Sequence, residues 1–348
     1  MRRMRPHNRE NKKQVLLFVL LVLTALAAAG AALFIGSVHL DAHEVREAMR
    51  CLLTRQMPES KNIYNLVVYV RLPRIILNLL GGAILSVAGI LMQTLTHNPL
   101  AEPYVLGVSS GASTGAAGAI VFHWFAFLQG GRIFFSAFVF SFLAIMLVLL
   151  LQGRSTSSVR LVLTGMGVSA FFQAATTLIV YMARDEAQAR SAQFWITGSF
   201  SGADWTDVRI AAAAAIVLLL FCLAAEKELD LLLLGKRAAE QTGLNIRAVQ
   251  MAVIGVTSLA VSVIVAQTGI VGFVGLIIPH IIRKAAGAKH RWLILCSIPA
   301  GAAFLTAADT TARTVFAPQE LPIGVMTAFV GAPVFLFIIH RVYHEDNS

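Results

Sequence analysis

Apolar runs of about 20 residues recur along the whole chain, and they restrict its possible folds more than any other feature of the sequence. A run of this length matches the helix that crosses about 30 Å of hydrocarbon. Because 57% of the residues are hydrophobic and 13% are charged, a water-soluble fold would have too few polar side chains to cover this apolar surface. The sequence therefore predicts an all-α, polytopic membrane protein with a single domain over residues 1–348. Ten transmembrane segments are predicted, at residues 15–38, 75–96, 107–128, 133–151, 159–182, 207–225, 247–268, 270–286, 292–313 and 321–343.

Two of these segments carry further expectations. Segment 15–38 follows a basic N-terminus, as in a signal peptide, but it exceeds the usual apolar region of about 7 to 15 residues. A retained first span is therefore predicted. Segment 270–286 is short and overlaps a glycine-rich stretch at residues 269–275, which predicts a broken or tilted helix of the kind found near transport pathways.

The basic residues predict the orientation of the chain in the membrane. If the basic N-terminus (residues 1–14) lies in the cytoplasm, ten spans place the C-terminus there too. Seventeen of the 28 Lys and Arg residues then fall in cytoplasmic segments, including residues 229–245, in agreement with the positive-inside rule. Residues 39–74 become an arginine-rich external loop, which indicates an acidic docking partner. The net charge of +10 does not indicate nucleic-acid binding, because the basic residues are scattered.

The sequence contains no motif that indicates an enzyme or a cofactor site. It has no G-x-x-x-x-G-K-[ST] loop, so ATP would have to bind to another polypeptide. An H-E-x-x-H helix and paired carboxylates are also missing from the sequence. The three cysteines have no metal-ligand spacing. We therefore expect no catalytic activity, no cofactor and no metal site.

Asp309 and Arg313 are charged residues within a predicted span, where charges are costly and usually functional. Their four-residue spacing places them on one helix face, which favours an ion pair. Alternatively, Asp309 is a site for proton coupling in a secondary transporter, and Glu102 is a second acid suited to that role.

Two polar connections have the character of functional segments. Residues 98–103 read NPLAEP, and their two prolines predict a rigid turn, either a structural turn or an inner gate. In the second connection, Gly235 and Gly243 bracket a short Ala-rich helix that displays Lys236, Arg237 and Glu240. This helix is either a docking knob for a soluble partner or an ordinary interfacial helix.

Five segments in a fixed order carry a family resemblance. They are RLPR at 71–74, the helix at 81–93, NPLAEPYVLGVSSGA at 98–112, GFVGLIIPHIIR at 272–283 and ELPIGVMTAFVGAPVF at 320–335. As a set, they resemble the permease subunits of type II ATP-binding-cassette importers, which import ferric siderophores, haem and cobalamin.

The resemblance implies a homodimer of ten-span subunits in the inner (plasma) membrane. Its partners would be two ATP-binding-cassette ATPase subunits and an external substrate-binding protein. An iron complex is expected as substrate, with cobalamin as the alternative. Two other functions remain open, an ion-coupled secondary transporter and a membrane scaffold that transports nothing.

The resemblance also assigns roles to residues. Arg71, Arg74 and Arg313 match arginines that dock the binding protein. The turn residues Asn98 and Leu100 match the family's cytoplasmic gate. Ser158 and Val159 would complete that gate, although Val159 departs from the small polar residue that the family pattern leads us to expect. The short cytoplasmic helix and its flanking glycines match the segment that contacts the ATPase in this family. The residues expected to couple to the ATPase are Gly235, Lys236, Arg237, Glu240 and Gly243.

Overall fold

The computed structural model describes residues 6–38, 40–128 and 130–345, and the regular structure in these residues is helical, with no strand. The α-helices are α1 (Pro6–Phe34), α2 (Ala42–Thr54), α3 (Lys61–Asn65), α4 (Leu72–Thr96), α5 (Val108–Val121), α6 (Arg132–Gln152), α7 (Ser158–Tyr181), α8 (Glu186–Ile196), α9 (Trp205–Ala224), α10 (Glu226–Leu233), α11 (Lys236–Gln241), α12 (Ile246–Thr268), α13 (Val274–Ala286), α14 (His290–Ala312) and α15 (Ile323–Glu345). A π-helix (Leu66–Arg71) precedes α4, and a 3-10 helix (Pro103–Leu106) precedes α5.

Seven helical segments in the described residues are long and apolar enough to cross a membrane. They are α1, the continuous run Lys61–Thr96 that ends in α4, α6, α7, α9, α12 and α14. In α15, the apolar stretch Ile323–Phe337 is shorter. The prediction of ten full-length spans is therefore not confirmed, because α5 and α13 have only 14 and 13 residues, fewer than the roughly 20 that a span needs.

Both short helices begin inside the helix bundle. The hydroxyl of Ser141, near the middle of α6, donates a hydrogen bond of 2.7 Å to the carbonyl of Val108, the first residue of α5. Gly275, at the start of α13, packs against Gly89 of α4. The chain reaches these starting points in largely non-helical form, through residues 97–107 and 269–273. The break expected near residue 270 is thus present, because α12 ends at Thr268 and α13 begins at Val274.

Non-helical backbone within a membrane protein needs hydrogen-bond partners from the protein itself. The carboxylate of Glu102 accepts a hydrogen bond of 2.7 Å from the backbone N–H of Phe273, which has a φ of 68°. The hydroxyl of Tyr104 donates to the carbonyl of Val271 at 2.9 Å. Two hydrogen bonds therefore fix the segment that precedes α13 to the segment that precedes α5.

Helix α4 lies at the centre of the fold, and α14 packs antiparallel to it. A Cβ atom added to Gly82 would lie 2.1 Å from the carbonyl oxygen of Gly301, so only glycine permits this approach. One turn further along, the hydroxyl of Ser86 donates to the carbonyl of Ser297 at 2.9 Å. Small residues thus bring the two backbones into direct contact, and we call these two helices the α4–α14 pair.

The outer helices of the bundle expose apolar side chains. Most of α4 is buried, whereas large apolar residues on α6, α7 and α9 are exposed. Examples are Phe142, Leu163 and Leu220. Exposed apolar faces on helices of this length are suited to contact with lipid.

The segment predicted as an external loop, residues 39–74, is largely helical, and its first residue, His39, lies outside the described residues. The continuous helical run that includes α4 begins at Lys61 and not near residue 75. The run continues through Pro73 because a π-helix precedes this proline. Pro73 has no N–H to donate, and the N–H of Leu72 bonds to the carbonyl of Val67, five residues back. Such π-turns in helices often occur at functional sites.

Candidate functional site

One end of the α4–α14 pair holds an ion-pair cluster centred on Arg74. Its guanidinium contacts both carboxylate oxygens of Asp309, at 2.8 and 2.9 Å. A third nitrogen lies 2.9 Å from the carboxylate of Glu320. Arg74 and Asp309 are both buried, and two-point contacts of this kind are among the strongest hydrogen bonds in proteins. Arg74 therefore joins α4 to α14 and to the segment that leads into α15.

Arg71 and Arg313 bind the C-terminal end of α1. Arg313 donates to the carbonyl of Ala32 at 2.5 Å, and Arg71 donates to the carbonyl of Phe34 at 3.3 Å. The last carbonyls of a helix have no partner within the helix and carry partial negative charge, so guanidinium groups suit this position. Arg71 also hydrogen-bonds to the carbonyls of Leu33 and Val38.

The structure thus brings together the three arginines that are predicted to dock the binding protein. All three are buried: Arg71 is 4% exposed, Arg74 is 6% exposed and Arg313 is 3% exposed. They adjoin a small cavity of about 50 Å³ that Gly36 and Ser37 also line. In this conformation, their guanidinium groups are mostly occupied by acceptors of the same chain. The docking role remains a prediction, and the surface it requires is covered here.

The predicted pairing of Asp309 with Arg313 is replaced by a different arrangement. Asp309 forms its close ion pair with Arg74, while Arg313 caps α14 and turns its side chain toward α1. Arginine stays protonated in proteins, so Arg313 keeps its positive charge at this position. The Nε atom of Arg313 is buried and has no hydrogen-bond partner among the described residues.

At the opposite end of α4 lies the turn predicted as a cytoplasmic gate. The side-chain oxygen of Asn98 accepts from the N–H of Leu100 at 2.9 Å, a local bond that stabilises the turn. The hydroxyl of Ser158 donates to the carbonyl of Leu95 at 3.2 Å, so the first turn of α7 touches the last turn of α4. Val159 is 68% exposed. The four residues therefore lie near one end of the bundle, and their action as a gate remains a prediction.

The segment predicted to couple to an ATPase folds into α10 and α11. Gly235 and Gly243 flank α11 with φ angles of 92° and 85°, values that glycine adopts without strain. Ala239 is buried and anchors α11, whereas Glu240 is exposed. The side chains of Lys236 and Arg237 lie outside the described residues, although their backbone belongs to α11. The coupling role stays a prediction.

Sequence reasoning missed a buried histidine bridge at this end of the bundle. His290 contacts Asp230 of α10 at 2.7 Å and Thr94 of α4 at 2.8 Å. These three residues are far apart in the sequence and match no motif, so their contact had no signal in the sequence.

Glu102 and Asp309 were the acids considered for ion coupling, and both have partners. Glu102 binds the backbone of Phe273, and Asp309 binds Arg74. Within the described ranges, His, Cys, Asp and Glu side chains form no group of three or more that could hold a metal ion.

Comparison with known proteins identifies the family to which this chain is similar. The model of the FecCD transport family matches residues 16–341. The hemin transport system permease protein HmuU of Yersinia pestis is 33% identical over 337 residues, which cover 95% of this chain and 96% of that protein. The vitamin B12 import system permease protein BtuC of Klebsiella pneumoniae is 38% identical over 272 residues, which cover 78% of this chain and 81% of that protein.

A solved structure supports the same assignment. It is described as an inward-facing metal-chelate type ABC transporter, and it superposes with a TM-score of 0.80 and 30% identity. The superposition covers 93% of this chain and 98% of that chain. The fold, the family match and the relatives agree along nearly the whole chain. The chain therefore belongs to the FecCD transport family and is a multi-pass membrane permease of the type II ATP-binding-cassette importers.

Proposed function

We propose that this permease forms the translocation pathway of an ATP-driven importer for an iron complex, either a ferric siderophore or haem. Two copies of the chain would form the pathway as a homodimer, and two separate ATPase subunits would hydrolyse ATP. An external substrate-binding protein would deliver the cargo. The family match supports the importer, and the likeness to the hemin permease HmuU supports an iron complex. Because BtuC is similar too, cobalamin is the second candidate.

The proposed orientation places both termini in the cytoplasm and the protein in the inner (plasma) membrane. Residues 1–5 of the N-terminus and 346–348 of the C-terminus lie outside the described residues. The proposal counts ten membrane segments, of which α5 and α13 cross only part of the bilayer as helices. Half-length helices joined to non-helical segments are typical of transport pathways. The excess of Lys and Arg in the proposed cytoplasmic segments supports this orientation.

The observation that carries the proposal is the position of the predicted sites at opposite ends of one helix pair. The arginine cluster lies where Arg74 meets Asp309. The gate turn and α10 lie at the other end, where Thr94 meets His290. A rigid pair with a docking site outside and a coupling site inside suits alternating access, in which packed elements rock as bodies.

Docking of the binding protein would use the positive charge of Arg71 and Arg313. In the present conformation, their donors bind carbonyls of α1 and of the residues that follow it. Acidic side chains of a docking protein would compete for these donors, because a carboxylate is a stronger acceptor than a backbone carbonyl. Docking would therefore require the segment at residues 36–38 to move away from Arg71.

The experiment that tests the proposed substrate is uptake into proteoliposomes that contain the permease with its ATPase and binding protein. A ferric siderophore, haem and cobalamin are supplied separately, each with and without ATP. We expect ATP-dependent uptake of an iron complex. Uptake of cobalamin alone would replace the proposed substrate with the second candidate, and absence of ATP-dependent uptake for all three would contradict the proposal. An ATPase subunit with an inactivated catalytic site serves as the control.

A further inference from the structure

We infer that His290 is a positioning residue that fastens helix α10 to the α4–α14 pair, so that movement of α10 is transmitted to both helices. The inference rests on the proposed function, in which α10 and α11 meet the ATPase. It adds a specific mechanical link between that contact and the membrane helices, formed by Asp230, His290 and Thr94. We call these three residues the histidine bridge.

The hydrogen bonds of the bridge determine which ring nitrogen of His290 carries the proton. The Nδ1 atom lies 2.7 Å from a carboxylate oxygen of Asp230, so Nδ1–H donates to the carboxylate. The Nε2 atom lies 2.8 Å from the hydroxyl of Thr94, and in the neutral ring it accepts a hydrogen bond from that hydroxyl. The imidazole ring thus uses both nitrogens in the neutral form. The side chain of His290 is 0% exposed and that of Asp230 is 37% exposed, so the ring is shielded from water while the carboxylate is partly open to it.

Asp230 also binds the start of α14 directly. The same carboxylate oxygen accepts a hydrogen bond of 3.0 Å from the backbone N–H of His290, the first residue of α14. The first N–H groups of a helix lack partners within the helix, and the positive end of the helix dipole favours a negative charge there. Helix α10 therefore supplies the cap of α14, which the preceding residue, Lys289, does not supply with its own side chain.

Further contacts hold α10 on the same side. The ring of His97, which follows α4, lies 3.0 Å from the carbonyl of Leu232 in α10, and Leu229 is fully buried. A cleft of about 750 Å³ lies beside these contacts and is lined by residues of α1, of α10, including Asp230, and of the start of α14. Helix α10 is therefore fastened to α4 and α14 at the edge of an open cleft that also borders α1.

The α4–α14 pair carries this attachment across the protein. The contact of Gly82 with Gly301 leaves no space between the two backbones, and the ion pair of Arg74 with Asp309 joins the two helices at the far end. Close-packed helices move as bodies more easily than they bend. A displacement of α10 therefore reaches the arginine cluster through the pair.

The test compares uptake with ATP hydrolysis in proteoliposomes that contain the complete transporter. His290→Leu removes both hydrogen bonds of the ring and keeps an apolar side chain in the buried site. We expect the complex to assemble and hydrolyse ATP, while the substrate imported per ATP falls by about tenfold, the scale of losing charge-assisted hydrogen bonds in a buried site. His290→Gln offers one donor and one acceptor, so it should restore a large part of the ratio.

Arg291→Leu is the matched control, because Arg291 is the next residue of α14 and is exposed. Its ratio of uptake to ATP hydrolysis should equal that of the wild type. If His290→Leu does not assemble, Asp230→Asn and Thr94→Val replace it, and both should lower the ratio. A lowered melting temperature with an unchanged ratio would show that the bridge is only structural and would overturn the inference. Failure of ATP-dependent uptake in the wild type would instead contradict the proposed function.

Discussion

Arg74 forms ion pairs with two acidic residues at once, and these pairs stabilise its buried positive charge. Its guanidinium binds Asp309 and Glu320, which belong to different parts of the chain. A buried charge without a partner costs several kcal/mol, so each member of the cluster depends on the others. Arg74 therefore has a structural role in this conformation in addition to the proposed docking role.

Replacement of Arg74 should destabilise the fold strongly. Arg74→Gln removes the ion-pair partner of the buried Asp309, which typically costs about 3–5 kcal/mol. Thermal unfolding of the purified protein in detergent measures the effect. Arg190→Gln removes an exposed ion pair with Glu186 and should change stability by less than about 1 kcal/mol. Equal effects of the two substitutions would contradict the role assigned to Arg74.

The sequence could predict which charged residues matter but not how they pair. The four-residue spacing of Asp309 and Arg313 favoured a pair within one helix. The observed partner, Arg74, is 235 residues away along the chain, and only the packing of α4 on α14 brings it close. The arginines proposed for docking were identified by resemblance of motifs, and their burial under the end of α1 had no local signal in the sequence.

At the scale of the elements, contact between α4 and α14 depends on glycine. Gly82→Ala should destabilise the fold by about 1–3 kcal/mol or more, because the new methyl group overlaps the backbone of Gly301. Gly255 lies within α12 and has no atom within 4 Å of an added Cβ. Gly255→Ala is therefore the matched control and should be neutral or slightly stabilising. The melting temperatures of the two variants should separate clearly, and similar values would argue against the close contact.

The junction between α5 and α13 should depend on the acceptor at Glu102. Glu102→Gln keeps an oxygen that can accept from the N–H of Phe273, so uptake should be largely retained. Glu102→Leu leaves that buried N–H unsatisfied, at a cost of about 1–3 kcal/mol, and should reduce uptake and stability together. Transport activity and melting temperature are measured on both variants. Loss of transport in Glu102→Gln with full stability would instead indicate that Glu102 transfers protons.

The apolar runs predict most of the membrane helices, because hydrophobic length is a local property of the sequence. They do not predict where α5 and α13 begin. Those starting points depend on contacts with Ser141 and Gly89, which lie in other helices. The extension of the helix ending in α4 back to Lys61 was missed because residues 39–74 were predicted as one arginine-rich loop.

At the scale of the whole molecule, the proposed docking site and coupling site lie at opposite ends of the bundle. Contact with an external binding protein should therefore depend on the arginine cluster and not on arginines elsewhere on that face. The combined variant Arg71→Gln and Arg313→Gln should weaken binding of the loaded binding protein by about tenfold or more. Binding is measured on the reconstituted transporter, and its basal ATPase activity should persist.

The exposed Arg46 of α2 provides the control for this variant. Arg46→Gln changes charge in the same segment, which is proposed to be external, and it should leave the affinity for the binding protein nearly unchanged. If Arg46→Gln weakens binding while the combined variant does not, the docking surface is on α2 and the assignment of Arg71 and Arg313 is wrong.

In the proposed function, this chain transports only with energy from a separate ATPase. The most direct measurement is substrate uptake into proteoliposomes that contain either the permease alone or the permease with its ATPase and binding protein. The permease alone is tested under proton and sodium gradients, and the complete transporter is tested with ATP and without a gradient. We expect uptake only by the complete transporter with ATP. Gradient-driven uptake by the permease alone would contradict it and would indicate an ion-coupled transporter.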